Sequence, residues 1–391
     1  MIEILKEIET KYDVSSITYN NIQLWPFLRI PYYHSLFDAS NWRKIDFSKS
    51  ERINNSLYGL GNLFRKYNFF VFTDTGEKRL VNKKYVDKIA ETLISEIGRN
   101  NTLVIEQPIQ GLHFNRQEIL SKHIISLELF RFLYTIIAIL SAKFTSNNRL
   151  TINNQSILDE INKKYSLNID YKILIYRFFC YKKLFRNFLK IYNPDAIFIN
   201  CYYRPEYQAA IYSAKELGIK TIELQHGLIN EKHGAYNIFT ELDKNYFPDY
   251  LLCFGEYFKK SFKNNNFIGS EHIYSIGSGY IDYINNYYDI DFKLFEVVGK
   301  YEKSVAVTSQ YGLESKLINF IKQAAKMDRD ILYIFIPRDL DRDYSKYKMP
   351  SNIVILKHLD FYKIIKFVDF HSTICSTCAF EAPAMGTPNI L

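Results

Sequence analysis

Residues 195–228 read DAIFINCYYRPEYQAAIYSAKELGIKTIELQHGL. Asp195 to Asn200 is an apolar run of strand length, Glu206 to Leu217 has helical spacing, and Gly218 stops that helix. Lys220 to Leu224 is the next strand, and it runs directly into Gln225-His226-Gly227. Strand, helix and strand at this spacing form a βαβ unit, which requires parallel strands. Ligands of open parallel sheets bind at the carboxyl ends of the strands. An imidazole at that place suits acid–base work or contact with a phosphate, and Gly227 beside it lets a ligand approach. His233 and Tyr236 belong to the same loop. A histidine that only orders its loop is the plainer reading, and the position at a strand end favours function over it.

The pattern repeats on both sides. Upstream, Asn68 to Thr73 reads as a short aromatic strand closed by the turn Asp74-Thr75-Gly76, and Tyr85 to Ile97 as a helix. Thr102 to Ile105 is a buried strand with Glu106 at its end, either a carboxylate in the ligand crevice or one that anchors a loop. Ile124 to Ala142 is the most apolar run; Glu128 and Arg131 make it short for a membrane span, so a buried helix is expected. Tyr176 to Tyr192 carries aromatic residues at helical spacing with basic ones mostly elsewhere. A core helix with a solvated basic face comes first, and peripheral contact with an anionic membrane second. Residues 1–66 show no chemistry.

Downstream, Leu251 to Phe254 and Ile273 to Ile276 are strands, and Tyr283 to Lys303 reads as a linker into a second domain. That domain has strands at Ser304–Thr308, Ile331–Pro337 and Asn352–Leu356, and helices at Leu313–Met327 and Leu359–Phe367. Pro337-Arg338 closes its long strand, where a guanidinium fork can grip a phosphate. Asp339, Asp341 and Asp343 alternate among Arg338, Arg342 and Lys346, which reads as a solvated charged loop before a metal site. The last stretch, FHSTICSTCAFEAPAMGTPNIL from Phe370, follows an apolar strand read at Ile364–Phe370. Ser372, Thr373, Ser376 and Thr377 then feed a helix at Ala379–Met385 carrying Glu381, an arrangement able to hold phosphate. The fold class expected is α/β, with two Rossmann-like doubly wound domains (1–285 and 286–391) facing a central cleft.

With 391 residues, 47% of them hydrophobic, the chain can fill two such cores, and a net charge of +8 suits an acidic partner. No nucleic-acid-binding signature is present. Five cysteines, an odd number spread through apolar surroundings, fit reduced thiols, and the Cys375–Cys378 pair has no second half-site. The charged helical N-terminus is not a signal peptide, so a cytoplasmic site of action is expected, extending to the inner face of the membrane. No P-loop, dinucleotide fingerprint or Gly-x-Ser-x-Gly elbow occurs, and Gly59-Leu60-Gly61 and Gly277-Ser278-Gly279 are too short for one.

Taken together, ELQHGL at 223–228, PDYLLCFG at 248–255, IGSGYID at 276–282, IPRD at 336–339 and HSTICSTCAFEAPAMGTP at 371–388 resemble a bacterial GT-B glycosyltransferase of the surface-polysaccharide (capsule or O-antigen) kind. The resemblance implies a nucleotide-sugar donor held mainly by the second domain and a glycan or lipid-linked oligosaccharide acceptor by the first. It puts Ser372, Thr373, Ser376 and Thr377 against the donor's phosphate or cytidine, Glu381 on the ribose hydroxyls and Pro337-Arg338 near the nucleotide, with Gln225 and Gly227 beside the ligand. Transferases of CMP-linked sialic-acid-like and Kdo sugars carry a His-Pro element; Ile336 stands where that histidine would be, so CMP and UDP both stay open. His226, Glu106 and Glu206 are the expected catalytic groups, with no cofactor or metal. A nucleotide-sugar 2-epimerase and a CDP-polyol phosphotransferase of the teichoic-acid type are the alternatives.

Overall fold

The computed structural model describes residues 2–36, 48–144, 150–262, 266–287, 292–310, 312–340, 342–374 and 376–390. The chain forms two compact units, Met1–Lys78 with Tyr85–Ser278, and Arg79–Lys84 with Gly279–Leu391.

The first unit is built on seven strands: β1 (Phe69–Asp74), β2 (Thr102–Gln107), β3 (Ile124–Ser126), β4 (Ala196–Ile199), β5 (Lys220–Leu224), β6 (Tyr250–Cys253) and β7 (Ile273–Ser275). They lie in the order β7-β6-β5-β4-β1-β2-β3, all parallel. Their continuous apolar runs follow from burial on both faces; β4 is buried at all four positions. The second unit has β8 (Lys303–Thr308), β9 (Ile331–Ile336), β10 (Ile353–Ile355) and β11 (Phe370–Thr373), parallel in the order β10-β9-β8-β11. Counted from its own first strand, each sheet therefore opens 3-2-1-4, the doubly wound order. Chain direction across the sheet reverses between the first and fourth strands, and there the crevice for a ligand opens.

Six helices of the first unit matter below: α1 (Ile2–Lys11), α2 (Trp25–Ser35), α3 (Lys49–Ser56), α4 (Glu128–Phe144), α5 (Tyr171–Tyr192) and α6 (Pro205–Glu216). The second unit adds α7 (Glu314–Met327) and α8 (Cys378–Ala384). Helix α5 buries Phe178, Tyr181, Phe185 and Leu189 in the main core, where Phe178 stacks on Phe27 at 4.3 Å. Gly59 needs its positive φ of 79° and its missing side chain, because a Cβ there would lie 1.8 Å from the Ile124 carbonyl oxygen. Gly59 thus serves close packing of the chain on β3, whereas a Cβ at Gly61 would meet nothing within 4 Å.

Three expectations are corrected. Tyr283–Lys303 is not a linker: helices Gly279–Tyr287 and Phe292–Val298 occupy most of it. The strand at Ile364–Phe370 begins only at Phe370, because Asp360 caps a helix at Phe361–Ile365 by accepting from the Tyr362 N–H at 2.9 Å. The apolar run Ile124–Ala142 is β3 followed by α4, and α4 is not buried: among its described residues none from Arg131 to Ile139 is. Asp341 and Cys375 lie outside the described residues.

Candidate functional site

In the first unit the reversal point lies between β1 and β4, and the chain crowds it with polar groups. Asp74 ends β1, Gln107 ends β2, and the turn after β4 carries Asn200 and Arg204. The Arg204 guanidinium donates to Asp74 Oδ2 at 2.6 Å and to Gln107 Oε1 at 2.8 Å, tying three strand ends together. One strand further on, His226 follows β5, and its Nε2 lies 3.2 Å from the Tyr203 hydroxyl. A cavity of about 680 Å³ opens here, lined by Tyr203, Arg204, His226 and His233 together with Pro31, Tyr33 and His34 of α2.

Both histidines are held neutral. Burial first, then the positive charge of Arg204, pushes His226 down to about 3; burial pushes His233 down to about 4. The Nδ1 atoms of both rings are buried without a hydrogen-bond partner among the described residues. An unsatisfied buried polar atom is costly, and a ligand hydroxyl or phosphate oxygen would relieve it. An added Cβ at Gly227 would meet no atom within 4 Å, so that side of the turn is open. Gln225 is turned to the backbone: it donates to the Gly227 carbonyl at 2.8 Å and accepts from the Phe254 N–H at 2.8 Å.

The loop carrying His233 is held from below by residues in which the sequence showed no chemistry. Arg29, fully buried on α2, donates to the carbonyls of Gly234 (2.7 Å), Ala235 (3.2 Å) and Asn237 (2.7 Å). Its charge is balanced by Glu9 of α1 at 2.8 Å, which also accepts from the Trp25 indole at 3.0 Å. On the other side Glu223, buried in β5, accepts from the Tyr236 hydroxyl at 2.7 Å and the Tyr202 N–H at 3.2 Å. Burial pushes Glu223 up to about 8, so it is largely a neutral acid. An arginine within an apolar N-terminal helix is the signal the sequence offers for this clamp, and the carbonyls it serves lie more than 200 residues away.

Glu106 and Glu206 lie elsewhere. Glu106 is fully buried between Lys78 and His113, whose Nδ1 is 2.7 Å away; burial opposes its charge, but these partners hold it below the ordinary carboxylate range. Glu206, in the first turn of α6, accepts from Arg131 at 3.0 Å and is likewise held low against burial by Arg131 and Arg177. It lines a different cavity from His226.

In the second unit the reversal point lies between β8 and β11, where Thr308 pairs with Thr373 and, on its other side, with Ile336. The sheet therefore sets Ser372 and Thr373 on one side of β8's end and Pro337 and Arg338 on the other. Ser309, which follows β8, accepts from the Arg338 N–H at 2.8 Å and donates to Glu314 of α7 at 3.1 Å. Arg338 is exposed, and Ser372, Thr373, Ser376 and Thr377 are half-buried. Ser376 accepts from the Cys378 N–H at 3.3 Å, and Glu381 accepts from Tyr362 at 2.8 Å. Buried His371 bridges Thr308 at 3.0 Å and Asn389 at 2.7 Å, which fixes the stem of this turn.

No protein-family model matches the chain, and no curated protein does. Among solved structures it is similar to the UDP-GlcNAc 2-epimerase of Neisseria meningitidis, at 12% identity over 83% of this chain and 82% of that one, with a TM-score of 0.47. The same enzyme of Methanocaldococcus jannaschii matches at 14% identity over 82% of both chains, TM-score 0.47. The wall teichoic acid polymerase TagF matches at 14% over 87% of this chain and 72% of that one, TM-score 0.43. At such values a likeness carries no conclusion about ligand or reaction. The strand orders themselves give an α/β chain of two parallel-sheet units, each in the doubly wound order.

Proposed function

We propose that the chain is a glycosyltransferase that moves a sugar from a CMP- or UDP-linked donor to a hydroxyl of a surface glycan or lipid-linked acceptor. The observation that carries this reading is His226: a neutral imidazole at a strand's carboxyl end, on a cavity beside Arg204, with an unpaired buried nitrogen. Sugar transfer needs an acceptor O–H to attack the anomeric carbon while the glycosidic C–O bond to phosphate breaks. In our reading the proton passes to His226, and the leaving phosphate takes the electron pair. With Nε2–H donating to Tyr203, the Nδ1 lone pair is the acceptor. A negatively charged ligand group beside the ring would raise its depressed basicity, because an anion stabilises the imidazolium. Arg338, Ser372, Thr373, Ser376 and Thr377 are assigned the nucleotide's phosphate, as donors to developing negative charge. Glu381 is assigned the ribose.

Two measurements test this. Thermal shift with CMP, UDP, GDP and CDP identifies the nucleotide, since a bound ligand raises the melting temperature. Transfer assayed with the corresponding nucleotide-sugar is expected to fall roughly 10²- to 10⁴-fold in His226→Ala while the nucleotide shift stays. Transfer at the wild-type rate in that variant, or donor converted with no acceptor present, overturns the proposal; the second result points to an epimerase.

A further inference from the structure

Arg204 and Glu206 stand two residues apart at the start of α6, and each lines a different cavity. The cavity of Glu206, about 630 Å³, lies among α4, α5 and the first turn of α6, with Arg52 contributed by α3. That volume is within the range of small-molecule sites, ~300–1,000 Å³. Three of its polar residues are deeply buried: Glu128, Glu206 and Tyr181 are 5%, 4% and 2% exposed. Arg131 donates to both carboxylates, at 2.6 Å to Glu128 and 3.0 Å to Glu206, while Arg177 stands 4.0 Å from Glu206. Tyr181 lies in the field of Glu206, Arg131 and Arg177, yet its hydroxyl has no hydrogen-bond partner among the described residues. A buried phenol left in that state is costly, and a polar ligand in the cavity relieves it.

We infer that this cavity binds an uncharged sugar residue, whose neighbouring hydroxyls donate to Glu128 and Glu206 and accept from Tyr181 and Arg177. A hydroxyl carries one donor and two lone pairs, so a sugar can meet carboxylate, phenol and guanidinium alike. An ionised carboxylate has about four acceptor sites, and Arg131 takes one on each of the two glutamates. An anion gripped by Arg177 would stand against Glu206. A cation held by either glutamate would stand against Arg131, the guanidinium that bridges them. A neutral hydroxyl meets neither penalty. Phe132 of α4, also in the lining and 41% exposed, offers a flat apolar surface to the C–H face of a pyranose ring. The site is separate from the His226 cavity, and the inference does not depend on the reaction proposed above.

Saturation-transfer NMR on the full chain tests it. The neutral probes are the methyl glycosides of glucose, galactose, mannose and N-acetylglucosamine, and the charged ones are glucuronate and glucosamine. We expect at least one neutral glycoside to bind more tightly than either charged sugar. Tyr181→Phe removes only an unpartnered hydroxyl, so it should weaken that glycoside about fivefold while the melting temperature holds. Phe132→Ala, at an exposed position, should also weaken it about fivefold, and His226→Ala, in the other cavity, should leave it unchanged. If Tyr181→Phe fails to fold by circular dichroism, Phe132→Ala decides in its place. The inference is overturned if no neutral glycoside binds, if a charged sugar binds more tightly than all of them, or if Tyr181→Phe binds as the wild type does. Binding lost in His226→Ala and kept in Tyr181→Phe puts the sugar in the other cavity, which overturns this inference and leaves the transfer reaction standing. An inactive transferase whose glycoside binding still answers to Tyr181 does the reverse.

Discussion

The two units repeat one strand order and equip its reversal point differently. In the first, the strand ends and the histidine loop are held by buried polar pairs: Asp74 to Arg204, Glu9 to Arg29, Glu223 to Tyr236. In the second, Arg338 is exposed and the hydroxyls of Ser372 to Thr377 are half-buried, with Glu314 as the main anchor of the loops around them. Groups fixed before a ligand arrives lose little freedom on binding it, which suits a centre that must hold one geometry for chemistry. Half-buried hydroxyls and an exposed guanidinium can order around what they hold, which suits a grip on phosphate.

The contrast is broken most severely at Arg29. Removing one member of a buried ion pair leaves the other charge uncompensated, so Arg29→Met is expected to cost about 3–5 kcal/mol in urea unfolding. Its counterpart in the second unit, Arg338→Met, should stay within about 0.5 kcal/mol. Equal losses would mean that the two edges are wired alike.

A second, smaller effect depends on pH. Glu223 titrates near 8 when folded against an ordinary value of 4.5, so the folded protein holds a proton that the unfolded chain releases. That contribution is complete below about 4.5 and is lost as pH rises through about 8. His226 and His233 are lowered from 6.5, so their contribution is present above 6.5 and lost on acidification. Asp87, raised to about 6, has released its proton by then. Stability followed by denaturant titration should therefore fall from about 6.5 to about 8, and the fall should flatten in Glu223→Gln; an unchanged slope would remove Glu223 from the account.

Gly227→Ala sharpens the first edge from the ligand side. Because the added methyl group meets open space, the melting temperature should hold while transfer falls. A loss of stability instead would make the turn structural. The smallest effect is expected at Ser376→Ala, about fivefold in nucleotide affinity for one hydroxyl hydrogen bond, with no change in unfolding.

What was legible in the sequence follows the same division. Strands β4 and β5 and the histidine behind them stand in one continuous stretch, where apolar runs, a helical period and Gly218 suffice. The hydroxyl-rich turn after β11 is equally local. Glu106 and Glu206 were singled out by position, and only folding brings Lys78, His113 and Arg131 against them. Tyr203 and Arg204 looked like an ordinary strand-to-helix turn until the reversal of strand order put them beside Asp74 and Gln107. Helix α4 misled because apolar composition predicts burial, whereas only packing decides which helices the core has room for.

The Arg29 clamp has a consequence in time. Its hydrogen bond to Gly234 spans 205 residues, so while the chain emerges from the ribosome α1 and α2 exist long before the carbonyls that Arg29 serves. Until β5 and its loop are made, Trp25, Phe27 and Leu28, all buried in the finished unit, have no complete core to enter. Contacts that close over such a separation slow folding and lengthen the exposure of apolar surface. Helices α1 and α2 are thus made well before the histidine loop and locked only with it, and their assembly is timed by its arrival.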